Sequence, residues 1–226
     1  MEVVEKSREQ ELSLISFTYN EPTVFYEYMY RIAELARANG LEVLLNSNGA
    51  MKPEPLRALL KHLNAVNIDL KGFSEDFYQE VTQGSLEPVL KNLQIIREEG
   101  VWLELVNLVV PTLNDDSDMI REMCGWIRDH LGKEVPLQFT RFFPSHKLTD
   151  LSPTPEETLE KAHSIAREEG LLFVNIGNLP EHRYNSTFCP ECEEVLVERS
   201  HHTVHQVNVE ENRCSHCDTS VPGVWD

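Results

Sequence analysis

Over the first 180 or so residues, short apolar runs alternate with stretches whose apolar positions recur at helical spacing. Residues 12–18 (LSLISFT) are apolar and β-branched, the composition of a strand buried on both faces. Pro22 and Thr23 then open a helical stretch to about residue 39, with Gly40 placed to end it. The pattern repeats as a strand at 43–45, a helix at 53–63, a strand at 65–70 and a helix at 86–99 closed by Gly100. A strand at 101–110, a helix at 116–131 and a strand at 137–142 follow. Thr154-Pro155-Glu156-Glu157 reads as a capping box with proline at N1, opening a helix that stops at Gly170. Residues 171–176 (LLFVNI) make the last strand. Strand–helix alternation on this scale implies a parallel sheet built from βαβ units. At roughly 30 residues per unit there is room for about six, short of the eight of a full barrel. A doubly wound sheet and a partial barrel both fit.

Polar residues gather just after the strands: Asn20 and Glu21, Asn46 to Gly49, Asp69 and Lys71, Asn114, and His146. Ligands of parallel α/β folds bind at that end of the strands. Each residue also has a plain structural use. Glu21 suits a helix start, Asn48-Gly49 a turn, Asp69 and Lys71 ion pairs to neighbouring helices, and Pro111 with Asn114 a strand exit and helix cap. Their position on consecutive strand ends favours a shared ligand.

Beyond residue 180 the composition turns to cysteine, histidine and glutamate, with no helical pattern. Four of the five cysteines form two C-x-x-C pairs, Cys189/Cys192 and Cys214/Cys217. Two such turns can close a tetrahedral Cys₄ site, and a structural zinc would supply the stability that so short a segment cannot bury for itself. His201, His202, His205 and His216 read as solvated residues of this ribbon, because four cysteines complete the shell. Cys124, inside a helical stretch, reads as a small buried hydrophobe.

Of 226 residues, 38 are acidic and 20 basic, a formal net charge of −18. That balance argues against nucleic acid as a partner. There is no apolar run long enough for a membrane span, and the first residues lack the apolar core of a secretion signal. Paired cysteines in such a chain point to a reducing, cytoplasmic setting.

The order TYNEP (18–22), NSNG (46–49), NIDLKG (67–72), VVPTLND (109–115) and FTRFFPSHK (139–147) resembles the radical S-adenosylmethionine (SAM) activating-enzyme group, typified by pyruvate formate-lyase activating enzyme. With its two cysteine pairs and the closing Pro222-Gly223-x-Trp225, the chain is similar above all to the radical SAM protein of the AmmeMemoRadiSam system. The resemblance implies a partial (β/α)₆ TIM-like barrel over 1–180, followed by a zinc-ribbon-like β segment over 184–226. It also implies SAM lying across the strand ends. Asn20, Glu21 and Pro22, beside Tyr19, would receive the methionine ammonium. Asn46, Ser47 and Asn67, with Asp69, would approach its carboxylate, in some members through a monovalent cation, and Asn48 belongs to the same cofactor-binding motif; the family usually carries aspartate where Asn46 stands. Asp69 and Lys71 would lie near the ribose and carboxylate, Pro111 and Asn114 at the adenine-side turn, and His146 near a further strand-end histidine. Memo-like and AMMECR-like proteins are the partners it implies.

One part of the family pattern is absent. Activating enzymes hold a [4Fe–4S] cluster on a C-x-x-x-C-x-x-C loop after the first strand, and this chain has no such motif. The expectation is a barrel lacking its first strand and cluster loop, with no catalytic residue identifiable and no activity alone, and with an open sheet edge that invites a dimer or a partner. Two readings follow: an enzyme of SAM reductive cleavage whose cluster segment lies elsewhere, or a cluster-free SAM-binding or scaffold module. A metal-dependent hydrolase ranks last, for want of strand-end histidine clusters.

Overall fold

The structure, a computed structural model, describes residues 2–200, 203–223 and 225. Strands β1 (Leu14–Phe17), β2 (Glu42–Ser47), β3 (Ala65–Asp69), β4 (Trp102–Val109), β5 (Leu137–Arg141) and β6 (Val174–Gly177) follow one another in one sheet in chain order. The pairs β1–β2, β2–β3 and β5–β6 are parallel. A doubly wound sheet reverses its order at a switch point; this one does not, and so has the winding of a (β/α) barrel. The helices are α1 (Glu2–Glu9), α2 (Tyr26–Ala38), α3 (Pro53–Leu60), the single turn α4 (Glu75–Phe77), α5 (Leu86–Glu98), α6 (Ser117–His130) and α7 (Glu156–Glu168). The chain forms two compact units, one of residues 1–70 and 78–105, the other of residues 71–77 and 106–226.

In the first unit, α1 was not legible in the charged N-terminal pattern. It buries Val4 and Ser7 and packs on α2. β1 is shorter than the apolar run suggests and buries only Ile15 and Phe17, while Leu12 and Leu14 are 50% and 42% exposed. The expectation of a strand buried on both faces is therefore corrected: one face is covered and the other is open. A 3₁₀ turn, Pro22–Phe25, precedes α2. At the carboxyl end of α5, Arg57 of α3 bonds both Glu98 and Glu99.

The second unit repeats this device. α7 ends in the same Arg-Glu-Glu-Gly sequence as α5, and Arg121 of α6 bonds Glu168 at 3.2 Å and Glu169 at 2.9 Å. α7 buries Leu159, Ala162, His163, Ile165 and Ala166 on one face. Its expected capping box does not form. Pro155 is the N-cap and caps nothing with its side chain. The Thr154 hydroxyl instead donates to Val109 O (2.6 Å) and accepts from Phe142 N (2.9 Å), tying the exits of β4 and β5. The last strand also starts later than its apolar run: the Leu171 backbone N–H closes α7 onto Ala166 O at 3.1 Å, and Phe173 leaves the strand for another core.

That other core joins Phe173 to Cys189, Leu196, Val197, Cys214 and Val221. It lies under a small β ribbon: an antiparallel sheet of β7 (Thr187–Phe188), β8 (Val195–Ser200) and β9 (Thr203–Val207), and a hairpin of β10 (Val209–Glu210) and β11 (Arg213–Cys214). Among the described residues, no helix is long and apolar enough to cross a membrane.

Candidate functional site

In the first unit, the residues after β1 and β2 are bound into one network. The Glu21 carboxylate accepts from Thr23 N (3.2 Å), capping the 3₁₀ turn, and from Ser47 Oγ and Asn48 N, both at 2.8 Å. It thus pins the loop after β1 to the end of β2. Asn48 Oδ1 closes its own turn by accepting from Ala50 N (2.8 Å). Gly49 adopts φ +74°, and a Cβ there would stand 3.0 Å from Ile68 Cγ2, so a side chain fits neither the backbone nor the space. Asn92 of α5, not singled out by the sequence pattern, donates from Nδ2 to Gly49 O (2.8 Å) and Met51 O (2.6 Å). A buried asparagine within an apolar helix face is the signal that could have found it, since asparagine is a poor helix former.

Asn46 and Asn67 are direct partners in the β2–β3 register. The Oδ1 atoms of both are buried and accept no hydrogen bond. Two orphaned acceptors on neighbouring strands are costly. They suit an N–H donor or a cation of a bound molecule. Asp69 ends β3, half-buried. Tyr19 stands 87% exposed, with Asn20 also exposed and Pro22 buried under the turn.

The remaining predicted site residues lie in the second unit. Asn114 is buried and its amide is fully engaged: Oδ1 accepts from Val110 N (2.6 Å), and Nδ2 donates to Lys71 O (2.6 Å) and Leu108 O (2.8 Å). It shapes the turn at Pro111 and holds the Lys71 backbone, leaving no side-chain group for a ligand. His146 is exposed in the loop after β5, at φ +52°.

The four ribbon cysteines converge. Their sulfurs all lie within 4.8 Å of one another, with Cys189–Cys217 at 3.6 Å and Cys192–Cys214 at 3.8 Å, and none forms a disulfide. An ion bound tetrahedrally by thiolates at about 2.3 Å sets its ligands about 3.8 Å apart, so the set fits one metal ion. Thr219 bonds the Cys217 sulfur through its hydroxyl and its backbone N–H, and holds that thiol down to about 6. The same closeness excludes ligands to four separate irons. The fifth cysteine, Cys124, is buried in α6, where burial pushes its thiol up to about 12. The described residues of this chain do not fit a [4Fe–4S] cluster. Of the ribbon histidines, His205 and His216 are exposed, as expected, and His201 and His202 lie outside the described residues.

The carboxylates Glu156 and Glu160 approach His182 Nε2 at 3.5 and 3.3 Å. Its Nδ1 accepts from Tyr184 N, which leaves the proton of the neutral ring on Nε2, directed at the carboxylates. This is a hydrogen-bonded triad, and the ring has no lone pair turned to a metal.

A parallel sheet wound in one direction, with polar residues gathered after its strands, is a (β/α) arrangement. The Radical SAM superfamily profile matches residues 1–124, and the chain belongs to that family. It is 44% identical over 222 residues to the uncharacterized protein MJ0808 of Methanocaldococcus jannaschii, covering 97% of this chain and 66% of that one. Over 164 residues it is 24% identical to the pyruvate formate-lyase-activating enzyme of Clostridium pasteurianum, covering 68% of each chain. Among solved structures, a domain of pyruvate-formate lyase-activating enzyme from Bacteroides vulgatus superposes with a TM-score of 0.62 at 18% identity, covering 73% of this chain and 98% of that one. The chain thus spans about two thirds of the length of its archaeal relative.

Proposed function

We propose that this chain is the SAM-binding part of an activating-type radical SAM protein, of the kind found in the AmmeMemoRadiSam system. The observation that carries the reading is the pair of orphaned oxygens on Asn46 and Asn67, beside loops that Glu21 locks together. SAM is zwitterionic, and its ammonium requires acceptors while its carboxylate requires donors or a cation. Backbone groups of Asn20 to Pro22 receive the ammonium; Asn46, Ser47, Asn48, Asn67 and Asp69 form the neighbouring wall. Glu21 acts as the positioning residue of this wall. A [4Fe–4S] cluster, in the family, supplies the electron for SAM cleavage; the described residues of this chain offer no ligands for it, so their part is to bind and orient SAM. The ribbon holds one structural zinc. Memo-like and AMMECR-like proteins are the partners to test, and the cytoplasm is the proposed setting.

Calorimetric titration of SAM into the metal-replete chain and into Asp69→Ala tests the site. The expected result is saturable binding, weakened at least tenfold by the substitution. Equal affinity would remove Asp69 from the site, and no binding to either would refute the proposal. The second reading, a cluster-free module, draws on the inert Cys124 and the mononuclear Cys₄ set. It predicts zinc but no iron after anaerobic reconstitution, even together with the system's other proteins.

A further inference from the structure

Within the first unit, one row of polar side chains crosses three strands. Leu44 stands level with Ala65, and Asn46 with Asn67, in the β2–β3 register. At the start of β4, Trp102 N donates to Asn64 O (3.3 Å). The same relation between β1 and β2, Glu42 N to Ser13 O, sets Glu42 level with Leu14. By that geometry of a parallel ladder, Trp102 is level with Ala65 and Glu104 with Asn67. Side chains alternate between the faces of a strand. Val66, Ile68, Leu103 and Leu105 therefore take one face, and all four are buried. Asn46, Asn67 and Glu104 share the other, side by side on β2, β3 and β4.

This row presents acceptors. The Oδ1 atoms of Asn46 and Asn67 are buried and accept no hydrogen bond. Glu104 is exposed, and its Oε1 accepts from Trp102 Nε1 (3.0 Å). That bond tethers the carboxylate and leaves Oε2 for another partner. Among the described residues no lysine, arginine or histidine pairs with it. The glutamates at the ends of α5 and α7 each meet an arginine instead. Glutamate is depleted in strands, and this one interrupts an apolar run between Leu103 and Leu105 with its charge uncompensated. Neighbouring strands lie about 4.8 Å apart. A cationic N–H group bonds an oxygen at about 2.8 Å, so one ammonium can reach both Glu104 and Asn67 Oδ1. An ammonium has three donors and no acceptor, which matches such a wall, and the adjacent indole also favours a cation.

We infer that Glu104 is a specificity-determining residue, the anion of a subsite for a primary ammonium group carried by the molecule on which SAM acts, with Asn67 Oδ1 as its neighbouring acceptor. The assignment of that ammonium to a second molecule rests on the proposed function, in which SAM's own ammonium is received at the β1 exit, two strands away from β4 across β2 and β3. The cation subsite itself stands on the row of acceptors.

Propylammonium, and separately tetramethylammonium and potassium, are titrated as chlorides at constant ionic strength into the isotope-labelled, metal-replete chain, following the Trp102 indole N–H and the Glu104 carboxyl carbon. The expected result is saturable propylammonium binding that moves both signals, at least tenfold tighter than tetramethylammonium, which has no N–H to donate, and tighter than potassium. Glu104→Gln, which keeps the shape and removes the charge, is expected to lose at least tenfold. Trp102→Phe, which releases the carboxylate, is expected to lose at least threefold. SAM affinity in Glu104→Gln is expected to stay within threefold of wild type. Wild-type propylammonium affinity in Glu104→Gln, or no saturable shift at all, would overturn the inference; if Glu104→Gln loses its dispersed amide spectrum, Trp102→Phe decides. Equal binding of tetramethylammonium would reduce the effect to charge screening and overturn it too, and tighter potassium binding would overturn the ammonium assignment. A tenfold loss of SAM affinity in Glu104→Gln would put the residue in the SAM site and overturn its assignment to a second molecule. Propylammonium binding without SAM binding would refute the proposed function and keep the subsite; SAM binding without propylammonium binding would do the reverse.

Discussion

Three hydrogen bonds converge on the Glu21 carboxylate, two of them from the β2 end. In the sequence it suited a helix start as well as a strand-end ligand site. The structure assigns it to neither alone, because a carboxylate with these partners is a fastener. Asn114 is a similar case, its amide spent on three backbone groups. His163 shows the opposite economy. Buried in α7 and stacked on Tyr184 with ring centroids 3.8 Å apart, it is held down to about 4, first by burial and then by nearby Arg167. Its ordinary value is 6.5, so the fold prefers the neutral ring. Stability from this residue is complete above pH 6.5 and is lost as pH falls toward 4, a total of roughly 3 kcal/mol. Denaturant midpoints at pH 7 and pH 5 should therefore differ markedly in the wild type, and His163→Phe, which can keep the stack, should flatten the difference. An unchanged pH slope in that variant would show that other groups are responsible.

Most helices and strands were visible in the apolar periodicity because packing rewards the same spacing that the pattern displays. β4 and β5, α5 and α6 lie within a residue or two of their expected bounds. The misses have a common cause: a local signal was claimed by a distant partner. Thr154 carries the sequence of a capping box, yet its hydroxyl is taken by β4 and β5 exits. Leu171 and Phe173 continue an apolar run, yet one closes α7 and the other enters the ribbon core. α1 was hidden because its apolar face is only Val4, within a charged segment. Thr154→Val keeps the shape and strands a buried backbone N–H and C=O, so a loss of about 1–3 kcal/mol is expected in equilibrium unfolding. Thr154→Ser, which restores the hydroxyl, should recover most of it; if valine is tolerated like serine, the tie between the two exits is unimportant.

The ribbon's hydrophobic core is small, and its four cysteines fit a single ion. Removing that ion should leave four thiols crowded together with little apolar burial to hold them. Chelation is expected to abolish hydrogen-exchange protection across β7, β8 and β11 while the amides of β2 and β3 stay protected. Retained protection in the ribbon would show that its apolar core suffices without metal. Motif order in the sequence was enough to place the chain among radical SAM proteins, because several weak signals at consecutive strand ends constrain one another. The sequence also determined the strand–helix alternation, the paired cysteines and the lack of cluster ligands, since each rests on residue identity and spacing along the chain. The tertiary structure alone decided the one-way strand order, the orphaned Asn46 and Asn67 oxygens, and the engagement of Glu21 and Asn114. Those depend on which side chains meet across tens of residues, and neither composition nor local periodicity encodes a through-space partner.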